Sequence, residues 1–156
     1  MSDVEQSERK KRWSYSRTTS FDHCKYEFYL DYVINDDDQY LSEGNFYAEE
    51  GSYVHEILAM IFNGELDVED APQYFADHYD DFICYKVKKS TMDKHYELLA
   101  DYFSELDLDW LKDYEIIGVE LQMDFEVDGY EFIGYIDLLL RDKRDGKIVV
   151  IDHKSA

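Results

Sequence analysis

The sequence predicts an α/β domain in which helices fill the N-terminal two-thirds and a β-sheet gathers near the C-terminus. Three observations carry this. Up to about residue 110, apolar residues recur at spacings of three and four, the mark of one helical face. From Ile117 to Val127 they alternate without a break, which is the period of a half-buried strand. Asp-Gly pairs at Asp128-Gly129 and Asp145-Gly146 supply turns between that strand and two more.

The elements follow in order. Met1 to Trp13 is polar and charged, and is expected to be a mobile arm of mixed basic and acidic character. The first helix is expected from Ser14 to about Val33. Ser16 would cap it, and Phe21, Cys24, Phe28 and Tyr32 would share a face. Asn35 to Gly44 reads as an acidic loop. A second helix is expected from about Ala48 to Phe62, with Val54, Ile57, Leu58 and Ile61 as its apolar stripe and Gly64 beyond its end. Two acidic helices follow, at about Asp67 to Tyr85 and Met92 to Trp110. Pro72, the single proline, falls near the start of the former, where it is tolerated. The strands are expected at Ile117 to Val127, Tyr130 to Leu140 and Lys147 to Lys154. Residues 14–156 thus read as one domain.

Composition narrows the function. A hydrophobic content of 45% and an aromatic content of 17% exclude a largely disordered chain. The two cysteines, Cys24 and Cys84, are too few for a disulfide scaffold or a zinc site, so a reducing, cytoplasmic setting is expected. No apolar run is long enough to span a bilayer, and no signal peptide is evident. The net charge of -21 opposes nucleic-acid binding in general, apart from the cluster Arg9, Lys10, Lys11, Arg12 with Arg17 and Lys25. The acidity either serves solubility or leaves basic surface to a partner.

Chemistry collects at the C-terminus. Asp137 interrupts an apolar strand, where a carboxylate needs a cation, a donor or a proton to offset lost hydration. Asp152 and Lys154 lie two apart and therefore project from one face of a strand, with His153 on the other. A two-residue turn at Asp128-Gly129, without a bulge, sets Glu120 opposite Asp137. In the next hairpin a two-residue turn sets Asp137 opposite Lys154, whereas a longer loop of the same parity sets it opposite Asp152. Either way three acids and a lysine share one face, a set of hard oxygen donors suited to Mg²⁺ or Mn²⁺. Taken singly, each of these residues is more ordinary as a strand-end charge; the combination is what points to a site.

Gly134-Tyr135-Ile136-Asp137 followed by Ile151-Asp152-His153-Lys154 resembles the G-x-x-D … D-x-K signature of the PD-(D/E)XK nucleases, most of all their RecB-like branch. Gly51-Ser52-Tyr53-Val54-His55 resembles the G-x-x-x-H helix of that branch, and Ser14-Tyr15-Ser16-Arg17 with Cys24 its opening S-x-S … C segment. The resemblance implies a restriction-endonuclease-like core with a mixed β-sheet. It implies His55, Asp137, Asp152 and the His153 carbonyl as metal ligands, Lys154 as the catalytic lysine, and Glu120 as an accessory acid. Lys154 would orient or deprotonate the attacking water, or stabilise charge developing on phosphorus. It further implies Mg²⁺- or Mn²⁺-dependent cleavage of DNA, single- or double-stranded, by an exonuclease of recombination, repair, phage replication or CRISPR adaptation. Some members of the branch hold an iron–sulfur cluster on four cysteines; two here, wrongly placed, argue against one, and Cys24 is expected to be a buried, inert thiol. His23, His78 and His95 are expected to be surface or packing residues. The Q-x-x-x-Y helix of the branch has no counterpart after Lys154, so the fold is expected to be truncated there, or completed by a second chain or protein partner. A contrasting reading is a non-catalytic acidic binding protein on a nuclease scaffold, such as a DNA mimic or a regulator of a basic partner.

Overall fold

The computed structural model of the chain describes residues 12–34 and 45–154. The arm before Arg12 and the acidic loop expected from Asn35 to Gly44 lie outside the described residues. Two compact units are present: Met1–Leu41 with Gln122–Tyr135, and Ser42–Leu121 with Ile136–Ala156.

In the first unit the single helix expected from Ser14 to Val33 is three pieces. Helix α1 spans Tyr15–His23, α2 spans Lys25–Tyr29, and a wider π turn covers Leu30–Ile34. The break is Cys24, whose backbone is extended (φ -150) and whose thiol accepts from Glu27 N as the cap of α2. This thiol is half-buried rather than interior. The cap of α1 is Ser14, which accepts from Arg17 N at 3.2 Å, and not Ser16. Arg12 and Trp13, expected in the arm, belong to the folded part. Trp13 pairs in parallel with Phe132 through bonds of 2.7 and 2.8 Å, and its ring stacks on Phe28. The Arg17 guanidinium lies 4.8 Å from the Tyr32 ring centre and 5.8 Å from that of Trp13, so cation–π attraction adds to this packing.

The second unit holds the core. Helix α3 (Phe46–Phe62) is capped by the Asn45 side chain on Ala48 N, and it buries Tyr53, Val54, Ile57 and Leu58. Helix α4 (Ala71–Phe82) begins with Pro72 in its first turn, and α5 (Lys89–Ser104) follows. Phe75 and Phe103 from these helices are fully buried against α3 and against Leu138 and Leu140 of the sheet. The fourth expected helix starts and ends earlier than its pattern suggested; Asp109–Asp113 is a separate 3-10 turn.

Strands β1 (Tyr114–Val127), β2 (Tyr130–Asp142) and β3 (Ile148–Ile151) form one sheet in the order β1-β2-β3. Asp128 (φ 52) and Gly129 (φ 82) are both left-handed, as a two-residue hairpin turn of this hand requires. Between β2 and β3, Leu138 pairs with Ile151 and Arg141 with Ile148. Asp142 N donates to Lys147 O, so the loop is the longer alternative, and its register carried on by one residue sets Asp137 opposite Asp152. The loop is tied by Arg144, which donates to both carboxylate oxygens of Asp142 at 3.0 and 2.6 Å.

The alternation in β1 is less regular than its sequence. Tyr114, Ile116 and Val119 pack on the core, while Ile117 is 40% exposed. The inward phase therefore shifts by one between Ile116 and Val119. Glu120, with φ 47, has left-handed backbone at the same place. Phase shift and left-handed residue together mark a β-bulge, a device that re-aims one side chain and locally sharpens the strand twist.

Candidate metal centre

Helix α3 carries His55 on the face it shares with Gly51, one turn before the buried Leu58 and two before Phe62. The core contacts of Val54, Ile57 and Leu58 thereby fix where the imidazole points. The β-bulge brings Glu120 to the ring: Oε1 lies 3.4 Å from His55 Nδ1. Asp137 Oδ1 lies 3.7 Å from the same nitrogen, and its side chain is 10% exposed. One ligand atom from each of His55, Glu120 and Asp137 falls within 4.8 Å of the others.

Two backbone contacts order this trio. His55 Nε2 lies 3.1 Å from the His153 carbonyl oxygen and can only donate there. His153 N donates to Asp137 Oδ2 at 2.6 Å. In the neutral ring the proton is therefore on Nε2, and Nδ1 turns a lone pair toward two carboxylate oxygens. Three acceptors converging on one point repel one another unless a cation, or a proton on Nδ1, lies among them. One imidazole nitrogen with two hard carboxylates is a donor set that suits a divalent ion of the Mg²⁺ or Mn²⁺ kind.

The remaining expected residues are adjacent in chain but differently engaged. The Asp152 carboxylate is held by Lys154, whose Nζ lies 3.0 and 2.8 Å from its two oxygens, and both side chains are largely exposed. It is not gathered with His55, Glu120 and Asp137. The expected third strand ends at Ile151, short of Lys154, and the His153 ring just beyond it stacks on Phe62 at 5.7 Å. Burial holds the His153 imidazole below its ordinary pKa, and the carboxylate of Asp137 opposes that shift only in part. Its Nε2 is buried without a hydrogen-bond partner, a position a neutral ring nitrogen tolerates better than a charged one.

A cleft of about 580 Å³ opens beside His55 and Glu120, lined also by Tyr47, Gly51, Ser52 and Glu56 among others. Tyr47 was not foreseen, although its place eight residues before His55 would set it two turns away on the same helix. Nor was Glu50, a carboxylate 4% exposed that accepts from Tyr79 Oη at 2.7 Å and lies 2.9 Å from His95 Nδ1. These contacts tie α3 to α4 and α5, and burial together with the Glu50 carboxylate pushes the Tyr79 phenol upward. His95 thus has a specific buried partner, whereas His78 packs within its own helix, on the Tyr74 carbonyl and ring one turn back, and His23 is exposed.

The family model of the PD-(D/E)XK nuclease superfamily matches residues 12–156. The chain belongs to that superfamily. Comparison with curated proteins gives no match, and comparison with solved structures gives none either. Membership agrees with the mixed α/β architecture and implies metal-dependent nuclease chemistry and nucleic-acid binding. Among the described residues no helix is long and apolar enough to cross a membrane.

Proposed function

We propose that this chain is a deoxyribonuclease of the RecB-like branch, probing DNA ends as an exonuclease and using Mn²⁺ or Mg²⁺. The observation that carries the reading is the convergence of His55 Nδ1, Glu120 Oε1 and Asp137 Oδ1, with Asp152, paired to Lys154, one residue beyond the β2–β3 ladder in the register that faces Asp137. His55, Glu120 and Asp137 would hold the ion, and Asp152 would join them once released from Lys154. The ion supplies Lewis acidity at the scissile phosphate and a more acidic water. Lys154, freed from Asp152, would offer its ammonium to the charge that develops on the phosphoryl oxygens. His153 N–H would hold Asp137 in orientation through its 2.6 Å bond. Roles in recombination, repair, phage replication or CRISPR adaptation accord with that branch.

Incubation with labelled single- and double-stranded DNA in Mn²⁺ tests this reading. Wild type should cleave and Lys154→Ala should be slower by about a hundredfold or more, the usual loss when one transition-state donor is removed. Equal cleavage by both proteins would refute the assignment of Lys154.

The net charge of -21 favours one other reading, an acidic scaffold that occupies a basic partner surface. Absence of Mn²⁺ binding by wild type and by Asp137→Ala alike would support it.

A further inference from the structure

A second cavity, of about 400 Å³, lies between α3 and α5, within the size range of small-molecule sites. Val54, Leu58, Leu98 and Leu99 give it apolar walls. His153 and Lys154 line it as well, so the candidate catalytic lysine borders this cavity. Tyr47, 57% exposed, lines both this cavity and the cleft over His55 and Glu120. Two neighbouring hollows therefore share an aromatic ridge, and Tyr102, 40% exposed, adds a second aromatic ring to the wall.

Charge decides what can enter. Glu50, Asp101 and Glu105 line the cavity and repel a phosphate. Both oxygens of Glu50 are engaged, by Tyr79 and His95, which leaves Asp101 and Glu105 as acceptors for an incoming N–H. A flat, neutral heterocycle with amino groups on its edge meets all these conditions: apolar walls, aromatic rings and carboxylate acceptors.

We infer that the α3–α5 cavity is a base subsite, which takes an unpaired base from the nucleotide next to the scissile phosphate, with Tyr47 and Tyr102 as its stacking rings. The inference rests on the nuclease reading given above. In a duplex the amino edge is already paired and the base is stacked, so entry requires a single strand or a frayed end. The substrate class that follows is single-stranded nucleic acid.

The test uses the full chain in Ca²⁺, with a short single-stranded oligodeoxynucleotide carrying 2-aminopurine. Binding is read by anisotropy and base environment by fluorescence. Leu98→Trp fills the cavity from a position 55% exposed, and Tyr47→Ala removes the shared ring; Tyr85→Ala is an aromatic control outside the cavity. Mn²⁺ titration of each variant reports the centre separately. The inference predicts about tenfold weaker oligonucleotide binding by Leu98→Trp and Tyr47→Ala, loss of the 2-aminopurine signal, and unchanged Mn²⁺ binding by Leu98→Trp. Wild-type affinity in both variants would overturn it. Unchanged oligonucleotide binding together with a lower melting temperature in Leu98→Trp would mark the cavity as the seat of a protein segment, and would also overturn it. Wild type that binds Mn²⁺ but no oligonucleotide would sink the base subsite alone, and wild type that binds neither would sink the nuclease reading with it.

Discussion

At the scale of single residues, Glu120 combines a backbone cost with a chemical role. A side chain at φ 47 raises the energy of the folded chain by about 1–2 kcal/mol relative to the right-handed region, and Glu120 has no turn to justify it. The carboxylate instead reaches His55. Glu120→Gly separates the two effects. Glycine relieves the left-handed strain while losing the ligand, so the melting temperature should hold or rise while Mn²⁺ affinity drops about tenfold or more. Calorimetric scans beside metal titrations would check this; a protein that is both less stable and unimpaired in metal binding would contradict it. Lys154 poses the complementary case. Its ion pair with Asp152 is largely exposed, and such pairs contribute about 0–1 kcal/mol. Lys154→Met should therefore leave the urea midpoint nearly unchanged while DNA cleavage falls by about a hundredfold or more.

The β2–β3 loop sets register at the scale of elements. Two bonds from Arg144 hold the Asp142 carboxyl down to about 2 from the ordinary 3.8, aided by the Arg144 backbone N–H. A carboxylate whose pKa is lower in the folded state favours folding above 3.8, and that contribution disappears as pH falls from 3.8 toward about 2. Asp142→Asn should thus be less stable than wild type at neutral pH, with the difference shrinking across that acid window. Parallel denaturation curves from pH 7 down to pH 2 would show the gap closing; a constant gap would contradict the role of the charge. The sheet also shows what sequence can and cannot convey. Periodicity located α3 and the first strand, and together with the Asp-Gly turns it located the other two, although β3 ends at Ile151 rather than Lys154. It could not choose between a two-residue and a four-residue turn, since both preserve parity. It missed the bulge at Glu120, because an inserted residue shifts the phase where apolar residues happen to stand on both sides, at Ile116 and Ile117. It also ran α1 and α2 together. Nothing in the apolar spacing marks Cys24 as extended, while the capping by its thiol is a local contact. Of the site, His55, Glu120 and Asp137 were legible as a motif on predicted elements. Tyr47, Glu50 and His95 were not, because their roles depend on how α3 meets α5, which no single periodic pattern contains.

For the whole molecule, sixteen Lys and Arg against thirty-seven Asp and Glu define the problem a nucleic-acid ligand meets. A protein that binds through many phosphate contacts loses about a thousandfold or more in affinity between 50 and 200 mM salt. A net charge of -21 opposes such contacts outside the cluster Arg9 to Arg12 with Arg17 and Lys25, so affinity should come chiefly from the metal and from base contacts. Binding of single-stranded DNA in Ca²⁺ should change less than about tenfold over that range and should vanish on chelation. A steep salt dependence that survives chelation would point to a basic surface and contradict this account.

Calorimetric titration of the chain with Mn²⁺ addresses the central claim directly. If the α3 imidazole and the carboxylates of β1 and β2 enclose a cation, wild type should bind Mn²⁺ with saturable heat, while Asp137→Ala and His55→Ala should bind it at least tenfold more weakly. Identical isotherms for all three proteins would show that these side chains hold no ion.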